Sequence, residues 1–267
     1  MKNSVSKVVP AVSVVIPAYN AERYLEAAVR SVLAQTWFDF EILIVDDCST
    51  DGTVALMSAL AAEDSRIICF HNSQNLGVAE TRNIAIAKAQ GEWIAFLDSD
   101  DLWRADKLEK QLTLAASNSD AVLIYTGSAF MDQNGALYDY VMPAELRVTY
   151  QMLLRQNKLS CSSVMVKRSI MQRYPMRDSR THEDYGAWLR ILREVPAAYG
   201  VNEPLLIYRI VPGSKSSGRL RSANMYYLTC RDIGYGWFIS GLLTARYAFF
   251  SISKRWRVYN SGKKISR

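Results

Sequence analysis

The chain has little of what most metal and redox proteins rely on. It holds two histidines, His71 and His182, so a histidine-rich metal centre is excluded and any bound cation must be met by oxygen ligands. Its four cysteines, Cys48, Cys69, Cys161 and Cys230, are scattered without a CxxC pair. That pattern points to neither a disulfide framework nor a zinc site, and reduced thiols are expected. No apolar run of signal-peptide length precedes the first strand pattern, so a cytoplasmic protein is expected. No GxGxxG follows that strand and no GxxxxGK(S/T) occurs anywhere, which weighs against a dinucleotide-binding Rossmann domain and a P-loop NTPase. Any phosphate must be handled by carboxylates and a cation instead of a glycine-rich cradle.

What is present is a chain of 267 residues, 49% hydrophobic and 22% charged, enough to bury a substantial core. Disorder and fibrous classes are excluded. The net charge of +6 is local: residues 254–267 contain six basic residues and no acidic one, and the rest carries 26 of each sign. A basic tail on an otherwise neutral chain favours an anionic surface such as lipid headgroups and argues against a nucleic-acid-binding face.

Along the first half, strand and helix patterns alternate. Residues 12–16 form a continuous apolar run suited to a buried parallel strand, ending at Pro17. Residues 21–35 place Leu25, Ala28, Val29, Val32 and Leu33 on one helical face. Strands are predicted over residues 41–45, 67–70 and 93–97, and helices over 53–62 and from Gly77 through Ala89, the latter closed by Gly91. Alternation of this kind implies a mostly parallel sheet flanked by helices. The second half is less regular: a hairpin at residues 132–135, a strand over 162–166, a helix over 183–193, and short strands near Ala198 and over 205–208. Residues 211–218, rich in Gly, Ser and Pro, read as a mobile loop. The expected organisation is one domain over residues 1–218 and a helical extension with a basic tail over 219–267.

In an open parallel sheet, ligands bind beyond the carboxyl ends of the strands. Three such ends carry polar or special residues: Pro17-Ala18-Tyr19-Asn20, Asp46-Asp47, and Asp98-Ser99-Asp100-Asp101. Either acidic group alone could be a solvated turn with a helix cap. Two at equivalent ends of neighbouring strands favour a site. Carboxylates this close repel one another unless a cation or donors stabilise them, so Asp98-x-Asp100, a DXD motif, is a reasonable site for Mg²⁺ or Mn²⁺ carrying a diphosphate.

Four stretches then carry a resemblance: VSVVIPAYNAERYLEAAVRSVLAQT (12–36), FEILIVDDCSTDGT (40–53), NLGVAETRNIAIAKAQGEWIAFLDSDDLW (75–103) and HEDYGAWLRIL (182–192). In order and spacing they resemble family 2 glycosyltransferases over most of residues 12–209. The resemblance implies a GT-A fold and transfer of a sugar from a nucleoside diphosphate sugar to an acceptor hydroxyl. It implies that Pro17, Tyr19 and Asp47 line the base pocket, Asp47 accepting a hydrogen bond from a uracil-type or other base edge. Asp98 would contact the ribose or metal, Asp100 would ligate the metal, and Arg82 and Asn83 would face the nucleotide, although Arg82 could equally be a surface helix arginine. Arg209 and Lys215 would contact phosphate. The catalytic base would be Asp184 of the Glu183-Asp184 pair, giving inversion. A competing reading stays open: Thr181-His182-Glu183-Asp184 also fits a capping box, with Asp184 merely capping a helix. His182 is read as a structural hydrogen-bonder, and the family's further histidine metal ligand is missing here.

Residues 233–253 are rich in aromatics and run into the basic tail, which fits either an interfacial helix at a membrane or a terminal helix docked on the core. With no signal for export, a lipid-linked glycan acceptor at the cytoplasmic face of the membrane is the expected setting, in cell-surface polysaccharide synthesis. A nucleotidyltransferase lacks its glycine- and arginine-rich loop here, and a non-catalytic sugar-binding module would not need Asp47, Asp98, Asp100 and Asp184 together.

Overall fold

A computed structural model of the chain describes residues 9–211 and 218–260, the side chains of 219 and 249–260 excepted. The N-terminal half alternates as the hydrophobic pattern requires: β1 (Val12–Ala18), α1 (Leu25–Leu33), β2 (Phe40–Asp46), α2 (Thr53–Glu63), β3 (Ile67–His71), α3 (Val78–Lys88) and β4 (Trp93–Phe96). There follow β5 (Leu102–Trp103), α4 (Lys107–Ser117), β6 (Leu123–Asp132), β7 (Leu137–Met142), β8 (Arg147–Val148), α5 (Tyr150–Arg155), a short 3-10 turn at Cys161–Ser163, β9 (Met165–Lys167), α6 (Arg168–Arg173), α7 (Glu183–Ile191), β10 (Ala198–Ile210), α8 (Arg219–Asp232) and α9 (Trp237–Asn260).

One sheet runs in the order β3-β2-β1-β4-β9-β6-β10-β5. Strands β3, β2, β1 and β4 are parallel, with Val12 opposite Phe40 on one side and Trp93 on the other. Beyond β4 the sheet is mixed: β9 is antiparallel to β4 and β6, and β10 is parallel to β6. Period-2 alternation sorts the central strands onto two cores. Val12, Val14, Ile16, Ile42 and Ile44 pack with Leu25, Val29, Met57 and Leu60 of α1 and α2, whereas Val15, Leu43, Val45, Ile94 and Phe96 pack with Ala85 and Ile86 of α3 and Trp188 of α7. Burial on both faces is why these strands read as continuous apolar runs.

Several boundaries differ from the periodicity. Helix α1 starts at Leu25 because residues 22–24 form a turn held to the loop after β2, where Glu22 accepts from the Gly52 N–H at 2.9 Å. Gly91 does not close α3, which ends at Ala89 in extended backbone. Gly91 instead lies against β1, where a Cβ would sit 2.6 Å from the Ser13 nitrogen. The strand predicted over 162–166 begins only at Met165, its first half being the 3-10 turn. The two short strands near 198 and 205 are one strand, β10, broken in register around Pro204, which cannot donate to a ladder. The predicted 132–135 turn joins β6 and β7, with Gly135 at φ 90.

After β10, α8 returns to the domain and buries Met225, Tyr226, Cys230 and Ile233. Helix α9 docks one face: Ser240 is buried, Leu243 and Tyr247 pack against the core, and the Tyr247 ring stacks on Tyr226 with centroids 4.1 Å apart. No helix among the described residues is long and apolar enough to cross a membrane.

Candidate active site

Because β1, β2 and β4 run in parallel register, their carboxyl ends bring the sequence-predicted residues to one edge. The Asp47 N–H donates to the Ala18 carbonyl (2.8 Å) and the Leu97 N–H to the Val15 carbonyl (3.0 Å), so the loops carrying Asp47 and Asp98 leave on either side of β1. Pro17 is half-buried at the end of β1, and Tyr19 is 52% exposed beyond it. The chain turns sharply there, with two non-glycine residues at positive φ, Asn20 (48°) and Cys48 (65°). Backbone strain of this kind collects at functional edges.

Asp47 is buried, and its carboxylate organises the loop after β3. One oxygen accepts from the Leu76 N–H (2.8 Å) and the Asn72 amide (2.9 Å), and the other from the Gly77 N–H (2.8 Å). Three of about four acceptor positions are thereby filled. Gly77 stands at φ 82, ψ 158, a conformation essentially reserved for glycine, which lets the chain enter α3.

Arg82, on α3, is no surface arginine. Its guanidinium is buried between Asp98 (Nη2–Oδ1 2.5 Å) and Glu183 (Nη1–Oε1 2.8 Å), tying the end of β4 to the start of α7. The neighbouring Asn83 spends its amide on the Met176 backbone, donating to the carbonyl (2.8 Å) and accepting from the N–H (3.0 Å).

Asp98 keeps about a third of its side chain exposed and Asp100 is half-buried. Burial, and then the charge of Asp98, push the Asp100 carboxyl up to about 6. Asp101 faces inward, where it accepts the Arg209 N–H at 2.8 Å; burial, with the charges of Asp100 and Asp98, holds its carboxyl well above the usual range. Arg209 is also buried, donating from Nε to the Asp100 carbonyl (2.8 Å) with its guanidinium 4.5 Å from the Tyr24 ring centre. Its contacts are those of a brace for the acidic turn. Lys215 lies outside the described residues.

Asp184 is the second residue of α7, half-buried, and in no ion pair among the described residues. Burial first, and then the charge of Glu183, push its carboxyl up to about 6 against the attraction of Arg82. The capping box itself is not formed, although the Asp184 carboxylate accepts the Tyr185 N–H in the first turn of α7. The N-cap is His182 without a side-chain cap, and the Thr181 hydroxyl donates to the Asp178 carbonyl. The His182 ring lies 3.3 Å from the Ser222 carbonyl, in keeping with a structural role.

The fit for a divalent cation rests on the donor set. Among the described residues no three His, Cys, Asp or Glu side chains converge as a self-sufficient metal cluster. Asp98 and Asp100 nevertheless form a like-charged pair, in which burial first and then the charge of Asp98 raise the Asp100 carboxyl. A cation held by one or two carboxylates, with phosphate oxygens completing its shell, suits such a pair. Sequence reasoning missed Ser162, whose hydroxyl accepts the Asp98 N–H at 3.0 Å, and Asn72. Neither sits in a motif, and only the crossing of distant loops brings them in.

The fold and site define a class: GT-A-type sugar transferases, built on an α/β sheet with the acidic edge at the ends of β1, β2 and β4. The S. aureus TarS 1–349 structure in complex with UDP-GlcNAc overlays 91% of this chain and 74% of its own, with a TM-score of 0.70 at 19% identity. The mannosyltransferase PcManGT from Pyrobaculum calidifontis, in complex with GDP-Man and Mn²⁺, overlays 96% of the chain and 74% of its own at 0.69 and 17% identity. The model of glycosyl transferase family 2 matches residues 13–179, and the chain belongs to that family. It is 41% identical over 224 residues (84% of this chain, 88% of the other) to TuaG of Bacillus subtilis (strain 168), a glycosyltransferase provisionally assigned to teichuronic acid biosynthesis. It is 32% identical over 256 residues (95% and 98%) to WfgD of Escherichia coli, a UDP-Glc:alpha-D-GlcNAc-diphosphoundecaprenol beta-1,3-glucosyltransferase.

Proposed function

We propose that this glycosyltransferase inverts configuration as it moves a sugar from a nucleoside diphosphate onto a hydroxyl of a lipid-linked glycan, at the cytoplasmic face of a membrane. The observation that carries the reading is Asp184: a carboxylate free of ion pairs among the described residues, set one position from the Glu183–Arg82–Asp98 bridge that leads to the donor edge. In this reading Pro17, Tyr19 and Asp47 border the base, Asp47 chiefly by fixing the 72–77 loop. Arg82 and Arg209 hold the acidic turn in place. Asp98 and Asp100 would hold Mg²⁺ or Mn²⁺, which when bound neutralises charge on the leaving diphosphate.

The Asp184 carboxylate takes the proton of the acceptor hydroxyl while that oxygen bonds to the anomeric carbon. The bond to the diphosphate breaks on the opposite face, and its electron pair leaves with the diphosphate oxygen. One displacement gives inversion. Support for the donor comes from the UDP-GlcNAc and GDP-Man complexes of the structural neighbours, and for the acceptor from the diphosphoundecaprenol substrate in the name of WfgD.

The test is a panel of nucleoside diphosphate sugars with Mn²⁺ or Mg²⁺ and a lipid-linked acceptor, with the product's anomeric configuration read by NMR. Retention of configuration refutes the single displacement. Asp100→Ala should abolish metal-dependent donor binding in calorimetry without lowering the melting temperature; unchanged metal dependence removes Asp100 from the site.

A further inference from the structure

A cavity lined by charged side chains shares no residue with the strand-end site. It has a volume of about 270 Å³ and is lined by Arg173, Tyr174, Arg177, Arg190, Arg193 and Glu194, among others. Arg190 stands in the last turn of α7, about 9 Å along the helix from Asp184 at 1.5 Å per residue, and Arg193 follows the helix end. The donor edge and this cavity are therefore separate places.

Four guanidinium groups converge there, opposed by Glu194 and by Asp232 of α8. Asp232 reaches Arg190 at 2.7 Å and Arg177 at 3.4 Å. Cations at a helix C-terminus complement its carbonyls, and that accounts for part of the arrangement. Arg193 donates to the Ile233 carbonyl (2.7 Å) and Arg190 to the Pro175 carbonyl (2.6 Å). Two positive charges remain in excess of the two carboxylates. Arg190 is only 8% exposed, and its buried Nε has no hydrogen-bond partner. With both Arg190 Nη atoms spent on Asp232 and the Pro175 carbonyl, the excess positive charge at the cavity falls to the more exposed Arg173, Arg177 and Arg193, whose guanidinium groups suit a phosphate.

The surroundings identify the kind of anion. Arg193 lies 5.8 Å from the Tyr235 ring centre, and two residues further α9 begins with an outward apolar face: Trp237 is 72% exposed, Phe238 59%, Leu242 55%. The opposite face of α9 is the one docked on the core, so this patch is exposed among the described residues. A cationic cavity linked through Arg193 and Tyr235 to the start of a helix with an exposed aromatic face and a basic C-terminal sequence is complementary to an amphiphile with a phosphate head.

From this juxtaposition we propose that the Arg173–Arg177–Arg190–Arg193 cavity is a phosphate-binding site for a membrane lipid, with the hydrocarbon beside it against Trp237 and Phe238. This rests on the membrane reading above and adds a specific headgroup site to it.

The experiment uses the full chain with phosphatidylcholine vesicles, with and without phosphatidic acid, and the double variant Arg173→Ala/Arg177→Ala. Both side chains are exposed, and a thermal melt and a UDP titration check that fold and donor edge are intact. The expected result is tighter binding to the phosphatidic acid vesicles, weakened roughly ten- to thirtyfold in the double variant, and relieved by inorganic phosphate with UDP present. Equal binding by the double variant and wild type overturns the proposal and leaves the basic tail as the anchor. If wild type ignores both vesicles, the membrane reading fails. Inorganic phosphate binding that is then lost in the double variant would assign the cavity to a free phosphate and overturn the lipid.

Discussion

Glu183 and Asp184 are adjacent acids with opposite surroundings. Glu183 is committed to Arg82, while Asp184 is burdened by burial and by its neighbour's charge without a cation of its own. A carboxyl poised at about 6 is a competent base at neutral pH and loses that capacity as it takes up a proton. Turnover should therefore fall below about pH 6 in the native enzyme. Asp184→Asn should lower turnover by roughly 10²- to 10⁴-fold while UDP binding persists; near-normal turnover would leave the base unassigned. Stability carries a second signature. With its carboxyl raised in the folded state, Asp184 favours folding fully below the unfolded value of about 4 and loses that contribution as pH rises to about 6. The Asn variant should show a shallower decline of stability across this window in urea melts, and an unchanged slope would contradict the burial of the charge.

At the scale of the element, the loop between β3 and α3 shows how a carboxylate acts through backbone. Asp47 collects the N–H groups of Leu76 and Gly77, and this collection requires Gly77 in a conformation that side chains avoid. A Cβ there would also meet the Ser179 hydroxyl at 2.7 Å. Gly77→Ala should cost about 1–3 kcal/mol from backbone strain and weaken donor affinity by displacing the loop from Asp47. Paired denaturation and UDP titrations check this, and an Ala variant of native stability would show that the loop adapts.

At the scale of the molecule, α8 completes the core more than it appends to it. Tyr226 is fully buried between Tyr185 of α7 and Tyr247 of α9, and its hydroxyl donates to the Leu154 carbonyl at 2.9 Å. Ending the chain after Gly218 would bare Tyr185 and remove several buried apolar side chains, each contributing about 1.5–3 kcal/mol, against a total stability of about 5–15 kcal/mol. The truncated protein should lose its cooperative melt and aggregate. A melt within a few degrees of full length would show that the chain up to Gly218 is self-sufficient.

The parallel half of the sheet and its acidic edge were legible in the chain itself, because a strand buried on both faces leaves an unbroken apolar run and its carboxyl end is where the next polar residues fall. Hence Asp47, Asp98 and Asp100 could be placed at equivalent strand ends before any coordinates, and only the sheet order put β1 between their strands. What the linear pattern could not carry was which groups meet across long separations. Arg82 reads as an ordinary helix arginine until α3 and α7 are packed, 101 residues apart in sequence, on the same side of the sheet. Arg209 likewise reads as a phosphate contact until β10 runs beside β5 and turns its guanidinium onto the acidic loop. Local periodicity is fixed by each segment's own side chains, whereas buried charge is placed by whichever partner packing supplies, and only the tertiary structure names that partner.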